Sequence, residues 1–169
     1  MTTSVDQKIS GAPPISPIVK GASGVSQTST TTATGDGDSF ATITFAANEL
    51  QAGDVIKVRC LYEGTFASAN VIARCWIGGI ASGNRFYSTT ISSGGTDTVG
   101  LTTYIFINST TNAKSMRDSV VSGVGTTGAV GASITIDTTS AVTVDLGHAL
   151  GADGSISLHG YVVEHVKAL

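Results

Sequence analysis

Apolar and polar residues alternate with a period of two along most of this chain. From Val55 to Glu63 the residues Ile56, Val58, Cys60 and Tyr62 fall on one face, and Lys57 and Arg59 fall on the other. That pattern predicts a half-buried β-strand. Val71 to Ile77 repeats it, with Val71, Ala73, Cys75 and Ile77 inward and Arg74 and Trp76 outward. Thr42 to Phe45 alternates as well and runs into a turn built on Asn48, Gln51 and Gly53. Val25 to Thr34 reads as a Thr/Ser-rich edge strand closed by a Gly35-Asp36-Gly37-Asp38 turn, followed by a strand from Phe40 to Ala46. Arg85 to Ile91, Lys114 to Val121, Ile134 to Ile136, Val142 to Leu146 and Ile156 to Val166 continue the series. Val99 to Ile107 is apolar on both faces from Tyr104 onward, which places it centrally in a sheet or at a subunit contact. No stretch carries a helical period and no longer repeat is present, so about eight to ten strands with polar turns predict an all-β sandwich or barrel.

The first 21 residues break the pattern. Pro13, Pro14 and Pro17 lie close together, flanked by Gly11 and Gly21. Prolines so spaced cannot enter a central strand and favour an extended path. Residues 1–21 are therefore expected to form an extended anchoring arm, with Pro13, Pro14, Ile15, Pro17, Ile18 and Val19 as its contact residues, and 22–169 the sandwich domain.

Composition agrees with all-β structure. Only 12% of the residues are charged, while Ser (20), Thr (24) and Gly (21) are abundant. Threonine favours strands and glycine favours turns. The net charge of −3 is spread without runs of either sign, so there is no basic stripe for nucleic acid. No continuous apolar stretch is long enough for a membrane-spanning helix, and the N-terminus lacks the apolar core of a secretory signal. Neither a nucleic acid nor a membrane is expected as a partner.

Candidate chemistry is sparse. Of the three histidines, His148, His159 and His165, the last two share strand parity but stand six residues apart, roughly 20 Å along a strand, so surface histidines are expected rather than a metal site, the alternative being one His presented three times across a threefold axis. Asp36 and Asp38 lack the ligand spacing and closing Glu of a calcium loop. Gly123, Gly125 and Gly128 have dinucleotide-loop spacing without a following helix and read as a loop. Glu49, Glu63 and Glu164 have turn or solvent contexts, and no Gly-x-Ser-x-Gly elbow is present. No enzyme activity, cofactor or metal is expected. Cys60 and Cys75 occupy inward positions on neighbouring strands, as two free buried thiols or, alternatively, as a disulfide. Trp76, Phe86 and Tyr87 are the candidates for an exposed interface or ligand site, with a second core face or a trimer contact as the alternative.

The run TTTATGDGDSFATITFAANELQAGDVIKVRCLYEG resembles the opening of jelly-roll domains in tailed-bacteriophage virion proteins. The resemblance lies in Ala47, Asn48, Leu50, Gly53 and Asp54 between two alternating strands, in Ala73 to Gly79, and in the closing run Ala152 to Val166. It covers roughly residues 24–166. It implies a jelly-roll-like antiparallel β-sandwich with an extended N-terminal arm, in a structural virion component assembled in the host cytoplasm. It also implies a homotrimer that contacts the major capsid protein or other virion proteins. A capsid decoration or head-fibre protein is the expected role. The alternative is a tail-fibre or receptor-binding module recognising host surface glycans.

Overall fold

The computed structural model describes residues 17–66, 71–91, 95–121, 133–151 and 154–168. Among them are eleven strands: β1 (Ile18–Ser23), β2 (Gln27–Ser29), β3 (Ala33–Phe45), β4 (Val55–Phe66), β5 (Val71–Ile77), β6 (Arg85–Ile91), β7 (Gly95–Ser109), β8 (Asn112–Val121), β9 (Ser133–Thr135), β10 (Val142–Leu150) and β11 (Gly154–Val166). The only helical element among the described residues is one 3₁₀ turn at Ser82–Asn84. The chain is an all-β sandwich.

The larger sheet runs β1-β11-β4-β7-β8-β9, with β2 also on β11, and the smaller runs β3-β10-β5-β6. Every pairing is antiparallel. Four of the pairs nest: β1 with β11, β3 with β10, β4 with β7, and β5 with β6. The chain thus behaves as one long antiparallel ribbon folded over on itself, with β2 and the β8–β9 hairpin added.

Alternation sets the core as expected. Ile56, Val58, Cys60 and Tyr62 of β4 are buried, as are Val71, Ala73, Cys75 and Ile77 of β5. Burying an aliphatic or aromatic side chain of this size contributes about 1.5–3 kcal/mol. The doubly apolar β7 lies between β4 and β8, a central position. The loop between β3 and β4 turns at Asn48, whose φ of 60° is one that asparagine tolerates, and at Gly53, with φ of 96°. It drives Leu50, 2% exposed, into the core.

Several expectations are corrected. The Gly35–Asp38 stretch is not a hairpin turn but part of β3, and of Val25 to Thr34 only Gln27–Ser29 pairs before β3 begins. The reason is steric. A Cβ on Gly147 would stand 1.9 Å from the Asp38 carbonyl oxygen, and one on Gly37 would stand 2.2 Å from that of His148. Glycines let β3 cross close over β10, with Gly37 at φ 105°. The boundary expected at 21/22 falls inside β1, so the described end of the arm is an edge strand of the larger sheet. The Gly123–Gly131 loop lies outside the described residues.

Candidate functional site

The edge of β11 opposite β4, and the N-terminal segment paired with it, carry several polar side-chain contacts. β1 pairs with β11 from Ile18 opposite His165 to Ser23 opposite Tyr161, and β2 pairs from Gln27 opposite Leu158 to Ser29 opposite Ile156. Between them β11 has a bulge at Leu158/Gly160. His159 sits in it, its Nδ1 2.6 Å from Ser26 Oγ and its Nε2 3.6 Å from Glu63 Oε1. Thr28 and Ser157 share a hydroxyl–hydroxyl bond of 2.7 Å. One continuous lane is covered.

A buried polar set closes the other end of that lane. His165 is fully buried, with Nε2 2.8 Å from Asp54 Oδ2 and Nδ1 3.8 Å from Glu49 Oε1. Asp54 also accepts from the backbone N–H of Gln51 at 3.1 Å and of Ala168 at 2.8 Å. Glu49 accepts from the Ala46 N–H at 2.8 Å and from Lys20 Nζ of β1 at 2.5 Å. Lys20 stands over the Phe45 ring, and Phe45 meets His165 edge-on. Burial pushes the Asp54 carboxyl up, but the bonds from Ala168, His165 and Gln51 outweigh it and hold the group below the ordinary carboxylate range. Glu49 is likewise pushed up by burial and held lower overall by Lys20 and the Ala46 N–H. Asp54 and Glu49 each accept several hydrogen bonds at this rim of the core, whereas His165 Nδ1 has no hydrogen-bond partner within reach. The arrangement fastens an edge strand, a turn and the C-terminal strand together.

Beside the lane, the outer face of the larger sheet is concave. A groove of about 480 Å³ is lined by Ser23, Arg59, Leu61, Gly100, Thr102, Gly160 and Val162, among others. Its floor follows from the register: Leu61 of β4 is flanked by Gly160 on β11 and Gly100 on β7, so neither neighbouring strand sets a side chain beside it. Leu61 is 43% exposed. Arg59 at the rim donates to Glu164 at 3.3 Å.

Pro13, Pro14 and Ile15 lie outside the described residues. Pro17 is exposed, and Ile18 and Val19 point outward from β1, 48% and 58% exposed. Trp76, Phe86 and Tyr87 are not exposed recognition residues: all three are buried. Phe86 and Tyr87 belong to the core. Trp76 follows outward parity as expected, but its indole lies against the Gly37 crossing, 3.3 Å from where a Cβ would be, and is covered there. Two of the histidines expected at the surface are buried. His165 is one, and His148 is the other, stacked on Phe40 with ring centroids 4.6 Å apart. Burial lowers the His148 pKa, with Asp38 opposing. Cys60 and Cys75 are free and buried, and Tyr62 Oη lies 3.7 Å from Cys75 Sγ. Among the described residues no group of His, Cys, Asp and Glu is placed to hold a metal ion.

The sequence places Gly53 and Asp54 in a turn and gives Glu49 a turn or solvent context. Asp54 and Glu49 both sit in that turn, yet their carboxylates meet a histidine more than a hundred positions away, a pairing that no local spacing encodes. Compared with family models, curated proteins and solved structures, the chain matches none of them.

Proposed function

We propose that this chain is a structural, non-catalytic component of a bacteriophage virion, a capsid decoration or head-fibre protein held in place by its N-terminal segment. The observation that carries the reading is the lane on β11. The N-terminal segment adds to a sheet edge by main-chain pairing, with no fully buried side chain of its own, and turns Ile18 and Val19 outward. Strand addition of this kind gives affinity through the backbone and leaves side chains for the neighbour. Set aside β2 and the β8–β9 hairpin, and four strands remain in each sheet, ordered β1-β11-β4-β7 and β3-β10-β5-β6. That nested order supports a jelly roll, the two-sheet fold common in viral capsid domains.

In this reading the sandwich projects from the particle as a homotrimer, and the N-terminal arm meets the major capsid protein or another virion protein. The glycan-binding alternative loses its aromatic anchors, because Trp76, Phe86 and Tyr87 are buried. The test is immunogold electron microscopy on purified particles from cells in which the protein carries an epitope tag at its C-terminus. Label over the head is expected. Label confined to the tail tip would replace the reading with receptor binding, and particles free of the protein would overturn it.

A further inference from the structure

The core of the sandwich begins at Ile43. No side chain from residue 17 to residue 32 is fully buried. Three of the six large apolar side chains exposed on the described surface, Ile18, Val19 and Val25, lie in that same short stretch. The segment is held by main-chain pairing with β11 and by three polar side-chain contacts: Lys20 with Glu49, Ser26 with His159, and Thr28 with Ser157. It is joined to β3 through residues 30–32, all exposed.

We propose that residues 18–29 are an exchangeable strand: the lane they fill on β11 of their own chain takes the same segment of a second copy. The fit needs no new surface, since the lane already accepts this sequence in this register. Each main-chain bond and each of the three polar contacts re-forms unchanged in the exchanged pair. What differs is only the path of the hinge and the entropy of bringing two chains together, so protein concentration decides the balance. Leaving the lane empty is the costly state, because it bares the unpaired backbone of a long edge strand. A hinge of three residues spans up to about 10 Å, enough to pass a strand to a neighbour in contact. Val25, between β1 and β2, is 74% exposed in the single chain. The inference rests on the fold and not on the virion reading; a chain absent from particles would still exchange.

The register supplies the test. Val19 stands opposite Glu164. Isotopically labelled full-length Val19→Cys protein is mixed with unlabelled Glu164→Cys protein, oxidised with glutathione disulfide at several protein concentrations, and digested for mass spectrometry. The double variant in one chain serves as the geometric control and is expected to close within itself. Exchange predicts a labelled–unlabelled dimer joined through positions 19 and 164, in a yield that rises with concentration. In-chain closure of the double variant without any 19–164 link between mixed chains, up to millimolar protein, overturns the proposal. Should either substitution disturb folding by circular dichroism, Ala22→Cys with Val162→Cys, also opposed in register, carries the same two outcomes.

Discussion

Replacing Asp54 by Asn removes the charge at the centre of the buried set and leaves its shape nearly unchanged. The wild-type carboxylate, its side chain 3% exposed, accepts three hydrogen bonds: from Gln51 at 3.1 Å, Ala168 at 2.8 Å and His165 at 2.8 Å. An amide keeps one acceptor oxygen and turns an NH₂ toward donors the carboxylate satisfied. At least one buried N–H loses its partner, at about 1–3 kcal/mol, and the remaining bonds lose charge assistance. A loss of about 2–4 kcal/mol at neutral pH follows. The acid side gives a second readout. Asp54 and Glu49 both have folded pKa values below their ordinary values of 3.8 and 4.5. A carboxyl depressed on folding stabilises the protein above its unfolded pKa, and that stabilisation disappears as pH falls through the folded value. Wild-type stability should therefore start to decline near pH 4.5 and keep declining below 3.8, and the Asp54→Asn curve should be flatter in the lower part. Urea titrations at fixed pH steps from 7 to about 3 measure both effects. A variant within about 0.5 kcal/mol of wild type at pH 7, the range of an ordinary surface change, would refute the reasoning, as would an unaltered acid slope.

Gly147→Ala should destabilise by at least about 1–3 kcal/mol, because its Cβ would lie 1.9 Å from the backbone oxygen of Asp38; a thermal midpoint equal to wild type would show that β3 does not cross there. Lys20→Ala removes a partly exposed ion pair worth about 1 kcal/mol or less, so global stability should barely move while amide exchange in residues 18–23 speeds up. Uniform exchange across the sheet would count against Lys20 as a local fastening. Cys60 and Cys75 are buried, with burial raising the Cys60 thiol well above its usual pKa, so neither should react with a thiol reagent in the native protein at pH 8 and both should react in urea. Rapid labelling of the native protein would place them nearer solvent.

What was legible in the sequence followed the pleat. Inward residues of β4 and β5 were assigned by alternation alone, since a period of two fixes the face of every residue once one face is known. The central place of β7 was legible from apolar residues on both faces. Failures came where the pleat is overridden. Gly35-Asp36-Gly37-Asp38 has the composition of a turn, but the glycines serve a close backbone crossing, and the partner that demands them, Gly147, is more than a hundred residues away. Trp76 lies on the side that alternation assigns to it, but alternation does not reveal the cover over it, which comes from that same crossing. Asp54 and His165 could not be paired from sequence: nothing in Gly53-Asp54 or in Glu164-His165 marks one for the other until β11 is laid along β4. The sequence reading separated residues 1–21 from the sandwich on its prolines, which act locally, whereas β1 begins directly after the last of them, at Ile18.

An edge strand that contributes nothing to the core is normally held by its backbone alone, and such strands fray. Here one side chain ties that strand to the interior. Lys20 reaches Glu49; Glu49 lies beside His165; His165 is bound to Asp54, which in turn holds the Gln51 and Ala168 backbones. The chain of contacts means that protonating two carboxylates weakens the side-chain hold on β1, while its main-chain pairing to β11 carries no titratable group. Acid should therefore act on how often the strand leaves its lane before it acts on whether the lane can be filled. That asymmetry is what an exchangeable segment requires. The site of attachment is conserved between the closed and exchanged forms, and only the rate of passing between them depends on the small polar set behind it.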